Sequence, residues 1–244
     1  MNLASIWRHP IKAIGREAMT EVQMDRSRCL PLDRHWAVTH ENTRDTGPGW
    51  AKKANFLRGV SGPQLMAVTA EMAGDGASVV LRHPERPDLW VKPDADGDEL
   101  IAWLDPLWPG DLPRPTGVAR CDTGFTDIPD PWISIQNHAS HRAVEQRIGQ
   151  PLSIHRWRGN LWIDDMDVWH EFDLIGRRLR IGQAELLIQQ RITRCKATMA
   201  NPDTGLRDAD TLAALRSWDH QDFGVYAEVV TGGVIRTGDS VEIL

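Results

Sequence analysis

The sequence predicts a mainly β (α+β) chain, with a β-barrel-like domain carrying a few short helices and an N-terminal β-rich subdomain ahead of it. Three observations lead there. β-Favouring runs are many, short and punctuated by Gly, Asp and Pro; only three stretches show helical spacing; and most strands are not followed by a helix, which argues against an alternating βαβ sheet. The domains are expected at residues 1–95 and 96–244, and a proline-rich passage further on is a possible seam between the two β-rich parts.

Taken in order, a first strand precedes His9-Pro-Ile-Lys12, residues 18–24 alternate, and Trp36-Ala-Val38 marks a strand over 35–39. Runs at 64–69 and 78–81 flank Gly74-Asp-Gly76 and read as a hairpin, with a further strand at 88–92. Leu100, Ile101, Leu104 and Leu107 predict a helix over 98–107 that Pro106 limits. Residues 110–131 hold Pro113, Pro115, Pro129 and Pro131 and read as a loop or crossover, since proline cannot donate to a β-ladder. A strand at 132–136 leads to a helix over 140–148, with Ser140 as N-cap and Gly149 as its stop. Strands follow at 154–163, 178–181 and 184–192, then a short helix at 209–218, and strands at 224–231 and 240–243 around a Gly232-Gly233 turn. Trp7, Trp36 and Trp157 read as strand residues of the core. Trp103, Trp108, Trp162, Trp169 and Trp218 suit either a pocket mouth or a partner surface.

The chain has 244 residues, 41% of them hydrophobic, and a formal net charge of −6, which argues against a general nucleic-acid binder. No apolar run approaches a membrane span, and Arg8, His9, Pro10 and Lys12 interrupt the start before a signal-type run develops, so a cytoplasmic protein is expected. The three cysteines are far apart, which excludes a dense disulfide framework, a zinc ribbon and a cluster held by four cysteines.

One of them stands out. Cys195 ends a long strand and opens a turn-rich loop, Asn201-Pro-Asp-Thr-Gly205, with Arg191, Arg194 and Lys196 around it. Cations beside a thiol favour the thiolate, a nucleophile or soft metal ligand; a small buried residue is the other reading. Cys29 and Cys121 lack that setting and read as structural. Alternation over residues 154–163 would put Arg156, Arg158 and Asn160 on one face and Trp157 on the other, where two guanidiniums and an amide suit a phosphate or heterocycle edge, or a solvated face. Rossmann and P-loop fingerprints are absent, as are a zinc-protease helix and a haem attachment motif. The acidic run at 164–167 and the pair Asp203 and Asp208 read as turn and cap residues.

Several segments in series resemble the molybdenum cofactor sulfurase C-terminal (MOSC) domain family, preceded by that family's N-terminal β-barrel domain. They are Ile6-Trp-Arg-His-Pro-Ile-Lys-Ala-Ile-Gly15, Asp33-Arg-His-Trp36, Ile133-Ser-Ile-Gln-Asn-His-Ala-Ser140, Arg156-Trp-Arg-Gly-Asn160, Thr193-Arg-Cys-Lys-Ala-Thr198, Phe223-Gly-Val-Tyr-Ala227 and Gly238-Asp239. Within the family the nearest functional likeness is to the amidoxime-reducing component proteins. The resemblance implies that Cys195 is the protein ligand to molybdenum beside the pterin dithiolene sulfurs. It also implies that Lys12, Arg34, Ser140, Arg156, Arg158 and Asn160, with Thr193 and Arg194, hold the molybdopterin and its phosphate, and that Tyr226 lines the substrate pocket. Ala13, Arg191-Ile-Thr-Arg194 and Met199-Ala-Asn201 depart from the reductases' usual residues, which weakens any transfer of substrate specificity.

The expected function is therefore a molybdenum-dependent reductase of N-hydroxylated or N-oxide small molecules. Without an internal cluster or haem motif, its electrons would come from a separate ferredoxin-, flavin- or cytochrome b5-type protein. A carrier of the cofactor, of metal-free pyranopterin or of its sulfur would use the same residues without turnover. A third reading is a thiolate enzyme pairing Cys195 with a histidine such as His220.

Overall fold

The computed structural model describes residues 1–44, 46–47 and 49–244. Its strands in the N-terminal half are β1 (Asn2–Arg8), β2 (Glu17–Met19), β3 (Glu21–Met24), β4 (Trp36–His40), β5 (Thr69–Met72), β6 (Val79–His83) and β7 (Arg86–Val91). Then follow α1 (Gly97–Leu104), β8 (Pro115–Arg120), β9 (Ile133–Asn137), α2 (His138–Ile148), β10 (Leu161–Asp164), α3 (His170–Asp173), β11 (Arg178–Ile181) and β12 (Ala184–Thr193). The chain closes with α4 (Thr211–Arg216), β13 (Asp222–Thr231), β14 (Gly233–Arg236) and β15 (Val241–Ile243).

The main sheet has eight strands in the order β15-β11-β12-β13-β9-β10-β1-β2. It curls so that its ends approach: Leu3 N donates to the Asp239 carbonyl at 2.9 Å and Val241 N to the Met1 carbonyl at 3.0 Å. The result is barrel-like without a continuous closed ladder. The first strand thus belongs to a sheet built mostly from the second half of the chain, and Leu3 and Ile6 share a core with Ile133, Leu161, Leu186 and Val229. A second core gathers Ile11, Trp36, Leu65, Val79, Leu100 and Trp108 under the three-stranded sheet β5-β6-β7 and the pair β4-β8.

Local chemistry explains most elements. The hairpin of β5 and β6 turns on Asp75, whose carboxylate accepts from the Ala77 and Ser78 amides at 2.9 Å each. In α2 the cap is Asn137, accepting from Ala139 N at 2.8 Å, so the helix starts two residues before the expected Ser140; Gly149 ends it with φ 83. The run at 18–24 divides into β2 and β3. The helix expected to reach Leu107 ends at Leu104 and tightens into a 3-10 turn through Pro106. Residues 63–67 likewise form a 3-10 turn begun by Pro63, and the strand expected at 64–69 starts only at Thr69. The proline-rich passage is not all loop. β8 lies inside it, because Pro115 stands at its first residue, where a ladder donor is least needed.

The largest departure matters for function. The strand expected over 154–163 is a 3-10 turn, Ile154–Trp157, followed by Arg158 in a left-handed backbone of φ 48, and only Leu161–Asp164 pairs as β10. Ser153 starts that turn by accepting from His155 N, at 3.3 Å. Arg156 and Arg158 therefore do not alternate on a strand face. Trp103, Trp108 and Trp162 are buried core residues, whereas Trp169 and Trp218 stay partly exposed. No helix among the described residues is long and apolar enough to cross a membrane.

A cation-lined cavity at the Cys195 strand end

The ten-residue strand β12 loses register with β13 between Arg191 and Thr193, so the chain peels away as it reaches Cys195. The backbone there is pinned. Arg194 N donates to the Gln221 carbonyl at 2.8 Å, Gln221 Nε2 returns a bond to the Arg194 carbonyl at 2.7 Å, and Thr198 Oγ1 donates to the Cys195 carbonyl at 3.1 Å. The Cys195 thiol is exposed and unpaired in a disulfide, whereas Cys29 and Cys121 are buried.

Cys195 opens onto a cavity of about 520 Å³ lined from both halves of the chain. Lys12, Arg34, Lys53 and Arg58 come from the first half, and Arg156, Arg158, Arg191 and Arg194 from the second. Among the described residues one carboxylate, Asp127, lines it. Asn160, Thr193 and Tyr226 reach it as expected. Ser140 does not: its hydroxyl is buried in α2, donating to Glu171 Oε2 at 2.9 Å and accepting from Trp169 N at 2.9 Å. The hydroxyl that lines the cavity is Ser134, which donates to Asn160 Oδ1 at 2.8 Å and accepts from Asn160 N at 2.9 Å. Its signal was a lone serine between two isoleucines on a strand, a polar residue on the face opposite the core.

The cations are held by backbone carbonyls more than by acids. The Arg194 guanidinium donates to the Phe223 carbonyl at 2.6 Å and the Trp157 carbonyl at 2.7 Å. Burial pushes it down to about 10, so it stays charged at neutral pH. Arg158 donates to the Gly15 carbonyl at 3.2 Å, and burial together with the Arg34 charge pushes it down to about 9. Arg34 pairs with the buried Asp33, which also accepts from His9 N at 2.7 Å. Arg156 pairs with Asp208 and donates to the Met199 carbonyl at 3.0 Å. Lys12 Nζ donates to the Phe125 carbonyl at 2.7 Å and to Asp127 at 2.6 Å, and burial lowers its affinity for a proton. Tyr226 stands 6.2 Å from Trp132 between ring centroids, and burial followed by the Asp127 charge raises its phenol further, keeping an O–H donor in the cavity.

His220 lies elsewhere, in a shallow aromatic cavity with Trp169, Phe172 and Trp218, which leaves no support for its pairing with Cys195. No group of three or more His, Cys, Asp or Glu side chains among the described residues is placed to hold a metal by itself.

The donor set fits an anionic, phosphate-bearing group with a soft metal. Arg158 Nη2 and Arg156 Nε are buried nitrogens without a partner, and among the described residues Cys195 is the one thiol on the cavity wall, with the Met66 thioether the other soft sulfur there. Sequence reasoning missed Lys53, Arg58, Asp127, Trp132 and Ser134, which enter from loops and a core strand.

The MOSC domain model matches residues 123–242, and the MOSC N-terminal beta barrel domain model matches residues 1–103. Among solved structures, YiiM from Geobacillus stearothermophilus is similar at 18% identity and a TM-score of 0.36, over 46% of this chain and 53% of that one. The chain thus spans about half the length of YiiM. The YuaD protein from Bacillus subtilis is similar at 13% identity and a TM-score of 0.45, over 99% of this chain and 94% of that one. A search of curated proteins returns no match. With the two domain models matched in series, the chain belongs to the MOSC domain family, which is associated with the molybdenum cofactor.

Proposed function

We propose that this chain binds the molybdenum cofactor and reduces N-hydroxylated or N-oxide small molecules. The observation that carries the reading is the exposed Cys195 thiol on the wall of a cavity lined, among the described residues, by eight cations and one carboxylate. When bound, the cofactor supplies two-electron oxygen-atom-transfer chemistry. Cys195 Sγ would be the soft protein ligand, and Arg158, Arg34, Lys12 and Arg156 would hold the anionic, phosphate-bearing part. Arg194, fixed on two carbonyls, keeps a positive charge within the field of Cys195. The Tyr226 hydroxyl offers a donor to the substrate oxygen. Reduction of an N–OH group to N–H and water needs two electrons and two protons. The chain's three scattered cysteines offer no cluster to relay them, so a separate carrier protein delivers the electrons.

The test uses the full chain. The purified protein should hold about one molybdenum per chain, and Cys195→Ala should abolish reduction of benzamidoxime with a chemical electron donor. Unchanged turnover in that variant would overturn the reading. A loaded protein without turnover that restores a cofactor-free molybdoenzyme would instead identify a carrier.

A further inference from the structure

We propose that Asp127 is the resident counter-ion of the cavity, a carboxylate that any phosphate-bearing polyanion must displace from Lys12 in order to bind. The inference rests on reading the cavity as an anion site. Lys12 Nζ lies 2.6 Å from Asp127 Oδ1, and the two side chains differ sharply in setting: that of Lys12 is 5% exposed, that of Asp127 53%. The ammonium is held in the core, whereas the carboxylate, on the exposed side of the pair, has room to turn into water. Lys12 keeps its bond to the Phe125 carbonyl at 2.7 Å when that happens, so the site stays formed.

The charges around the pair make the exchange favourable. Asp127 acts on Arg34, Arg158, Arg194 and Tyr226 as well as on Lys12, so one carboxylate serves a whole ring of cations. Desolvation pushes its own carboxyl up, but Lys12, with Lys53 and Arg34, reverses this and holds it at about 2, which keeps it ionised throughout the physiological range. A single surface carboxylate leaves Arg158 Nη2 unsatisfied. A phosphate-bearing ligand reaching Lys12 and Arg158 together makes bonds that Asp127 does not, while a neutral ligand has nothing with which to displace it.

A purely structural ion pair and a resident counter-ion predict opposite results. If Asp127 only positions Lys12, its loss weakens anion binding; if it competes with the ligand, its loss strengthens binding. Titration calorimetry on the full chain, isolated without cofactor, with inorganic pyrophosphate and inorganic phosphate as probes, decides between them. Asp127→Asn is expected to bind pyrophosphate about tenfold more tightly than the wild type, and Asp127→Ser should repeat the gain. Asp127→Glu should stay near the wild type, and the gain should vanish when Lys12→Gln is added. Both probes bound equally by wild type and variants, or less tightly by the variants, would overturn the counter-ion while leaving the anion site standing. Binding of neither probe to any form would overturn both.

Discussion

Arg34 Nη2 donates to the backbone carbonyl of Arg158 at 3.1 Å, and both arginines hold left-handed backbones, with φ 53 and 48. Each such residue costs about 1–2 kcal/mol in an ordinary L-residue. The fold therefore spends backbone energy to bring two like charges together across 124 positions of sequence. Asp33 and Asp127 offset part of that repulsion, and the unpartnered Arg158 Nη2 is left for a further anion.

The first prediction follows. Without an anion, Arg158→Gln should not lower the melting temperature, because it removes a buried charge that Arg34 opposes. Pyrophosphate should raise the wild-type melting temperature by several degrees and the variant's by less than half as much. A thermal shift series against pyrophosphate concentration checks both. An Arg158→Gln protein that melts many degrees lower without anion would show that the guanidinium stabilises the empty fold.

Cysteine accessibility gives a second. Iodoacetamide should modify one cysteine per native chain and three after denaturation, with Cys195→Ala reducing the native count to zero. Burial pushes the Cys29 thiol up to about 12, which suppresses its thiolate as well as its access. Because the Cys195 side chain is exposed, the alanine variant should keep its stability within about 0.5 kcal/mol, read by denaturant unfolding. Mass spectrometry of labelled peptides distinguishes the three sites.

These residues also show how far the sequence could be read. Cys195 and Arg194 are legible because a strand end and a turn-rich loop fix them locally, whereas Thr193 enters only through the resemblance. Lys12, Arg34 and Tyr226 came from resemblance, since no local pattern brings residues 12, 34 and 226 to one wall. Arg156 and Arg158 were placed in the cavity for the wrong geometric reason. Strand alternation predicts them on one face, but a 3-10 turn and one left-handed residue deliver both, and Gly159 then lies so close to Gln136 that a Cβ would clash with it. Ser140 carries two expectations, an N-cap from its position and a cofactor contact from the resemblance; Asn137 caps the helix instead, and Glu171 captures the serine hydroxyl away from the cavity. Asp127 was hidden in a stretch where prolines announced a loop and nothing announced a partner 115 residues away.

Acid sensitivity supplies the third prediction. Burial pushes His9 down to about 3, and burial with the Arg16 and Arg158 charges pushes His155 down to about 4. In the unfolded chain both titrate near 6.5, so the unfolded state binds protons that the folded state refuses. Stability is therefore complete above about pH 6.5 and is lost progressively as pH falls toward 4. His155→Gln should flatten the dependence of melting temperature on pH between 7 and 4.5. An unchanged slope would place the acid sensitivity in other groups.

The last prediction concerns the floor beneath Arg194. Gly224 has φ 72, and a Cβ there would lie 2.4 Å from the Gln136 side chain and 2.6 Å from the Ile135 carbonyl. The Gln136 amide, turned so that both ends pair, donates to the Ile135 carbonyl at 2.7 Å and accepts from Arg194 Nη2 at 3.1 Å. The glycine of the Phe-Gly-Val-Tyr segment is thus required by contact as well as by backbone. Gly149 provides the control, with φ 83 but nothing within 4 Å of an added Cβ. Gly149→Ala should cost about 1 kcal/mol, from the left-handed backbone alone. Gly224→Ala should cost about 3 kcal/mol or more, since the clash is with backbone and a buried amide that cannot yield. Chemical denaturation measures both. The same variant should weaken pyrophosphate binding, because displacing Gln136 removes one of the acceptors that position Arg194 and strains the Phe223 carbonyl next to it, whereas Gly149→Ala should leave that binding unchanged. Equal costs for the two alanines would show that Gln136 moves aside and that the Arg194 floor is soft.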